Sequence, residues 1–280
     1  MKTNGLLVSL FLVALLLAAC GPAAPTETAR LILATTTSTE NSGLLAYLLP
    51  QFETQYNAIV EVIAVGTGQA LQLGEDGNAD VLLVHARDLE DAFMAGGHGL
   101  RREDVMYNDF VILGPANDPA GVADVATATE AFALISSSAS PFISRGDDSG
   151  THVKELEVWA AAGLQPAGDW YVSAGQGMGA VLTMADELTA YTLSDRSTYL
   201  ARTLEGTDLQ ILFEGDPTLF NPYGVIAVNP GKNEAINSEL ANQFIDWLIS
   251  VPTQELIASF GVEQFSQPLF IPDSEAWRNR

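Results

Sequence analysis

Three short stretches concentrate hydroxyl donors, and one of them carries an arginine. Phe142 to His152 reads FISRGDDSGTH, placing Arg145 four residues ahead of Ser149-Gly150-Thr151 and directly before a helix-like run, Lys154 to Trp159. Thr35-Thr36-Thr37-Ser38 and Gly66-Thr67-Gly68 each separate an apolar run from a helical pattern. A helix start offers unpaired amides and the positive end of its macrodipole. Hydroxyls add donors, and a guanidinium can bond two oxygens of one anion at once. Ser and Thr ahead of a helix are also the ordinary N-caps. What favours a site is their recurrence at three predicted strand ends, one of them with a cation, and the chemistry indicated is capture of a compact oxyanion.

Catalytic patterns are poorly matched. The three histidines (His85, His98, His152) and the single cysteine, Cys20, lack metal-ligand spacing. Ser149 lacks the flanking residues of a nucleophile elbow. His152, three positions further on, points away from Ser149 as readily as towards it. A secreted serine hydrolase using that pair is the rival class, and a sensor domain with the same ligand chemistry is a third. Asp147 and Asp148 read as helix-start carboxylates, and Trp159, Trp170 and Trp247 as core. No cofactor is implied: GTGQAL lacks the third glycine of a dinucleotide fingerprint.

These turns need strands and helices to hold them. Apolar runs at 30–34, 58–65 and 80–85 alternate with helical patterns, as in a doubly wound α/β sheet. Leu44, Leu45, Leu48, Leu49, Phe52 and Tyr56 fall at helical spacing, with a kink expected at Pro50. Asp109 to Pro115 reads as a strand crossing into a second domain. That domain holds Phe132–Ile135, the arginine turn, the strand Trp170–Val172, the turn Gly175 to Gly179 and the strand Ala190–Leu193. Chain return near Leu219 to Gly224 leads to a last strand, Val225 to Pro230, followed by helices over 241–251 and 253–260. The expected division is domain I over 30–112 and 220–280, and domain II over 113–219. With 280 residues, 48% of them hydrophobic and 17% charged, the chain can bury such cores.

Twelve basic against 35 acidic residues, a net charge of −23, argue against nucleic acid as a partner. They do not argue against a small anion in a closed site, because surface carboxylates are screened beyond about 8–10 Å. At the N-terminus, Lys2 and the apolar run Leu6 to Ala19 read as an export segment, too short to span a bilayer. Its end, Leu17-Ala18-Ala19-Cys20-Gly21, resembles a bacterial lipoprotein signal over 1–20, with Cys20 lipidated and 21–29 a Pro/Ala/Thr-rich linker. The mature chain is thus expected outside the cytoplasmic membrane, tethered to it through Cys20, without a disulfide or a transmembrane helix.

Taken in order, Thr35 to Thr39, Gly66-Thr67-Gly68, Asp80 to Ala86, Met106 to Val111, Ser144 to His152 and Gly175 to Gly179 resemble the tungstate-binding proteins of bacterial ABC importers. The resemblance covers about residues 30–272. It implies the type II periplasmic-binding-protein fold: two doubly wound α/β domains joined by two crossover strands, with the anion in the cleft. It also implies ligand contacts from Thr37, Ser38, Thr67, Arg145 and Thr151. Thr36, Ser149 and Gly150 are added by position, with Gly177 and Met178 as further candidates at a helix start. Partners would be the permease subunits of the importer, with the binding protein itself a monomer. Phosphate and molybdate remain alternatives. Phosphate keeps a proton near neutral pH and gains from a carboxylate acceptor, for which Asp80, Asp147 and Asp148 are the candidates.

Overall fold

The computed structural model describes residues 28–280; the export segment, Cys20 and most of the linker fall outside the described residues. Strand β1 (Ala29–Thr36) pairs in parallel with β2 (Ala58–Val65) on one edge and β3 (Val81–Val84) on the other. Each strand feeds a helix at its carboxyl end: α1 (Thr37–Asn41) and α2 (Leu44–Tyr56), α3 (Thr67–Glu75), and α4 (Arg87–Ala95). Three turns therefore open on one edge of the sheet, where parallel sheets present ligand sites. Helix α2 buries Leu44, Leu45, Leu48, Leu49 and Phe52 and runs on through Pro50, whose ring lies on the exposed face.

Strand β4 (Gly99–Pro115) begins at Gly99 rather than at Asp109. Its first half escapes a hydropathy reading because Arg101, Arg102, Glu103 and Asp104 give no apolar alternation. These charges are matched: Arg102 bonds the buried Glu90 of α4 at 2.8 Å, and Arg101 reaches Asp246 at 2.7 Å. The first half of β4 lies antiparallel to β9 (Phe220–Val228), which in turn lies antiparallel to β3. With the two-residue β10 (Ile271–Pro272), the order across this lobe is β10-β4-β9-β3-β1-β2.

Between Asp109 and Phe110 the long strand changes partners. Its second half pairs with β7 (Thr192–Asp195) on one edge and β8 (Leu209–Phe213) on the other. The parallel pair β5 (Phe142–Ser144) and β6 (Tyr171–Ser173) continues the sheet through a Phe142–Tyr191 bridge. Helices α5 (Ala128–Ser137), α6 (Gly150–Ala161), α7 (Met178–Glu187) and α8 (Arg196–Thr203) cover this second lobe. Its core stacks Phe132, Phe142 and Trp159, with ring centroids 4.3–5.5 Å apart. In the first lobe, α9 (Ser238–Leu248) sets Phe244 and Trp247 against Phe52. Shorter helices α10 (Val251–Ser259), α11 (Val262–Phe265) and α12 (Glu275–Arg278) close the chain.

The architecture is two α/β lobes joined by the antiparallel strands β4 and β9, as the sequence leads one to expect. Among the described residues no helix is long and apolar enough to cross a membrane.

Candidate anion-binding site

Arg145 leaves β5 and reaches across the cleft, 2% exposed. Its Nη1 donates to Ser38 Oγ at 3.0 Å; Nη2 donates to Thr37 Oγ1 at 3.1 Å and to Asp147 Oδ2 at 2.5 Å. A guanidinium has five N–H donors. These three bonds leave the Nε–H and one Nη1–H, and Nε has no partner among the described residues. From the other direction, Gly150 N at the start of α6 donates to Thr67 Oγ1 at 3.0 Å. The lobes are thus joined by polar contacts made with the predicted turns.

The approach is close enough to dictate residue size. A Cβ on Gly150 would stand 2.9 Å from His85 Cε1 and 3.1 Å from its carbonyl oxygen. One on Gly66, the N-cap of α3, would stand 3.1 Å from the Asp147 carbonyl. Gly177, the N-cap of α7, lies against Thr37, so Met178 opens a third long helix beside the arginine. The N-termini of α3, α6 and α7 therefore gather around one cation, and all favour negative charge.

The hydroxyl protons define what the site offers. Thr37 and Ser38 accept from Arg145, Thr67 accepts from Gly150 N, and Ser149 Oγ accepts from His152 N as the cap of α6. Thr151 is 1% exposed, and its hydroxyl has no partner among the described residues. A hydroxyl has one proton and two lone pairs. Each of the four accepting hydroxyls, and Thr151 with them, thus keeps its proton to donate. The result is a cluster of donors.

The three candidate carboxylates separate cleanly. Asp80 braces the far side of the sheet, accepting from Ile32 N at 2.6 Å and Asn237 N at 2.7 Å. Asp148 is a solvent side chain, 92% exposed. Asp147 alone stands at the arginine, its other oxygen accepting from Ser149 N at 3.2 Å. His152 turns its Nδ1 to the Asp148 amide at 3.1 Å, away from the Ser149 hydroxyl.

Behind the turns lies a buried polar chain that composition and spacing do not reveal. Thr36 Oγ1 caps α1 through Thr39 N and lies 3.1 Å from His85 Nε2. His85 Nδ1 meets Asn221 Oδ1 at 2.9 Å, Asn221 Nδ2 donates to Asn108 Oδ1 at 2.7 Å, and Asn108 Nδ2 donates to Ser197 Oγ at 2.9 Å. Ser197 donates to Asp195 Oδ1 at 2.6 Å, and Thr198 Oγ1 binds the Ser38 carbonyl at 3.2 Å. Burial lowers the His85 pKa from its ordinary value and the Arg145 charge adds to this, against the opposing pull of Asp195 and Asn221. Thr35 takes no part, donating to Leu83 O within the sheet. A cavity of about 490 Å³ adjoins the site at His85 and Gly150, but it is walled by Val153, Val158, Phe220 and Pro222 and holds none of the hydroxyls counted above.

Residues 22–252 match the model of a PBP superfamily domain. A tungstate-binding protein, TupA, from Peptoclostridium acidaminophilum is 55% identical over 246 residues, 87% of this chain and 86% of the relative. The chain belongs to the tungstate-binding-protein family. Two solved structures agree with this family's fold. That of the tungstate ABC transporter from Geobacter sulfurreducens is 57% identical, with a TM-score of 0.77, covering 82% of this chain and 98% of its own. The tungstate-binding protein TupA from Desulfovibrio alaskensis G20 is 42% identical, with a TM-score of 0.73, covering 88% and 100%.

Proposed function

We propose that this chain is an extracytoplasmic solute-binding lipoprotein, anchored through Cys20, that captures tungstate between its lobes and delivers it to an ABC permease. The observation that carries this reading is the buried Arg145 within a cluster of hydroxyls, four of them accepting from protein donors, whose protons are all left to give. Such a cluster suits a tetrahedral anion with no proton of its own. The anion would take the Arg145 Nε–H, the hydroxyls of Thr37, Ser38, Thr67, Ser149 and Thr151, and amides at Gly177 and Met178, while the Gly150 amide orients Thr67. Both lobes contribute, so binding favours the closed arrangement.

Asp147 supports a second reading. It is a carboxylate acceptor at the arginine, and an anion that keeps a proton, such as phosphate, would use it. Hydrolysis is disfavoured by the His152 ring facing Asp148 N instead of the Ser149 hydroxyl. Titration calorimetry of the purified protein against tungstate, molybdate, sulfate and phosphate separates these readings. Binding of tungstate in preference to phosphate is expected; tight phosphate binding without a tungstate response overturns the proposal.

A further inference from the structure

The buried chain behind the site has a direction, and one contact fixes it. Ser197 has a single hydroxyl proton, and Asp195 Oδ1, 2.6 Å away, also accepts from Thr198 N at 2.9 Å. A carboxylate only accepts, so the Ser197 proton lies on that contact. Ser197 must then accept from Asn108, which orients the Asn108 amide with its Nδ2 towards the serine. Asn108 Oδ1 accepts from Asn221 Nδ2, and this leaves Asn221 Oδ1 facing His85 Nδ1. An oxygen acceptor there requires a proton on Nδ1. Reversing both amides would place the Ser197 proton on Asn108 and leave two lone pairs facing each other across 2.6 Å, so that arrangement fails.

We infer that His85 is held as the neutral Nδ1–H tautomer and that its bare Nε2 draws the Thr36 hydroxyl proton away from the cleft. On the oxyanion-binding reading above, Thr36 is then a positioning residue and no anion donor. With its proton given to Nε2, Thr36 Oγ1 accepts from Thr39 N and from the Thr39 hydroxyl at 2.8 Å, and fixes the start of α1 that presents Thr37 and Ser38. The ring is clamped between Tyr223, stacked at 4.7 Å, and the backbone of Gly150. The charged groups acting on it are Asp195, which favours the imidazolium, and Arg145, which opposes it; burial decides for the neutral form. The chain runs from the second lobe (Asp195, Ser197) through both crossover strands (Asn108 on β4, Asn221 on β9) to the anion turn of the first. The geometry of that turn thereby depends on the contacts between the lobes.

Two measurements test this. Long-range proton–nitrogen correlation on the ligand-free protein labelled at histidine is expected to show His85 protonated at Nδ1 and bare at Nε2 at pH 7. A proton on Nε2, or an imidazolium, overturns the assignment. This spectrum decides the tautomer whether or not the protein binds any anion. The second measurement is tungstate calorimetry on His85→Gln and His85→Asn. Glutamine places an oxygen acceptor near Nε2 and keeps the Thr36 bond, whereas asparagine keeps the donor to Asn221 and loses it. Affinity within about threefold of wild type is expected for glutamine, and a loss of tenfold or more for asparagine. Equal losses in both variants, with wild type binding normally, overturn the positioning role; wild type that binds no oxyanion overturns the proposed function instead.

Discussion

Arg145 supplies the formal charge of the site, and its removal has two consequences. On the proposed function the anion would lose charge-assisted bonds, which contribute about 1.5–3 kcal/mol each, and Asp147 is left facing the cleft without its partner. Arg145→Ala is expected to weaken tungstate binding at least tenfold by calorimetry; unchanged affinity would remove the arginine from the site. His85 governs a different property. Its pKa in the folded protein lies below the value of about 6.5 it has in the unfolded chain. Below that pH the unfolded chain therefore binds the extra proton, and acid favours unfolding. Stability from urea melts is expected to rise as pH increases towards about 6.5 and to level off above it as far as this group is concerned. In His85→Gln that contribution to the slope should vanish. The hydroxyls and the arginine were legible in the sequence because their types announce donors. His85, Asn108 and Asn221 were not, since their role depends on which neighbour holds each proton.

At the scale of elements, α6 fits tightly against the first lobe, and on the proposed function this contact would set the binding geometry. Gly150→Val would drive a side chain into the His85 ring and backbone and hold the lobes apart. Affinity is expected to fall by tenfold or more while far-UV circular dichroism stays as in wild type. A variant that binds normally would show that this contact does not set closure. The strand–turn–helix units around Thr36, Thr67 and Ser149 could be read from alternating apolar runs and caps. The first half of β4 and helix α8 could not. β4 reads as polar because its charges are paired with α4 and α9, and α8 buries only Ser197, Thr198 and Tyr199 among polar neighbours.

For the whole molecule, binding that needs both lobes links affinity to closure and to stability. At a ligand concentration of 100 Kd the folded state gains about 2.7 kcal/mol, so saturating tungstate should raise Tm by about 5 °C or more. Small-angle scattering should show a smaller radius of gyration if the free protein opens. A Tm unmoved by tungstate would contradict the proposed ligand. The two-lobe architecture was legible because two apolar crossings, near 110 and 220, bracket a second set of strands. The pairing that joins them was not, because register between strands more than a hundred residues apart leaves no local pattern.

The place of β9 between β3 and β4 bears on the order in which the chain acquires structure. Until residue 220 is available, β3 and β4 lack the strand that lies between them, and all of residues 110–219 intervenes. The second lobe has every one of its strands in hand by Phe213. Closing the longer loop costs more entropy before any contact repays it. Refolding followed by pulsed hydrogen exchange should therefore protect the amides of Thr192–Asp195 before those of Val225–Val228, whose partners all lie across the longer loop. The inserted lobe matures first, and the lobe that begins the fold is the last to be completed.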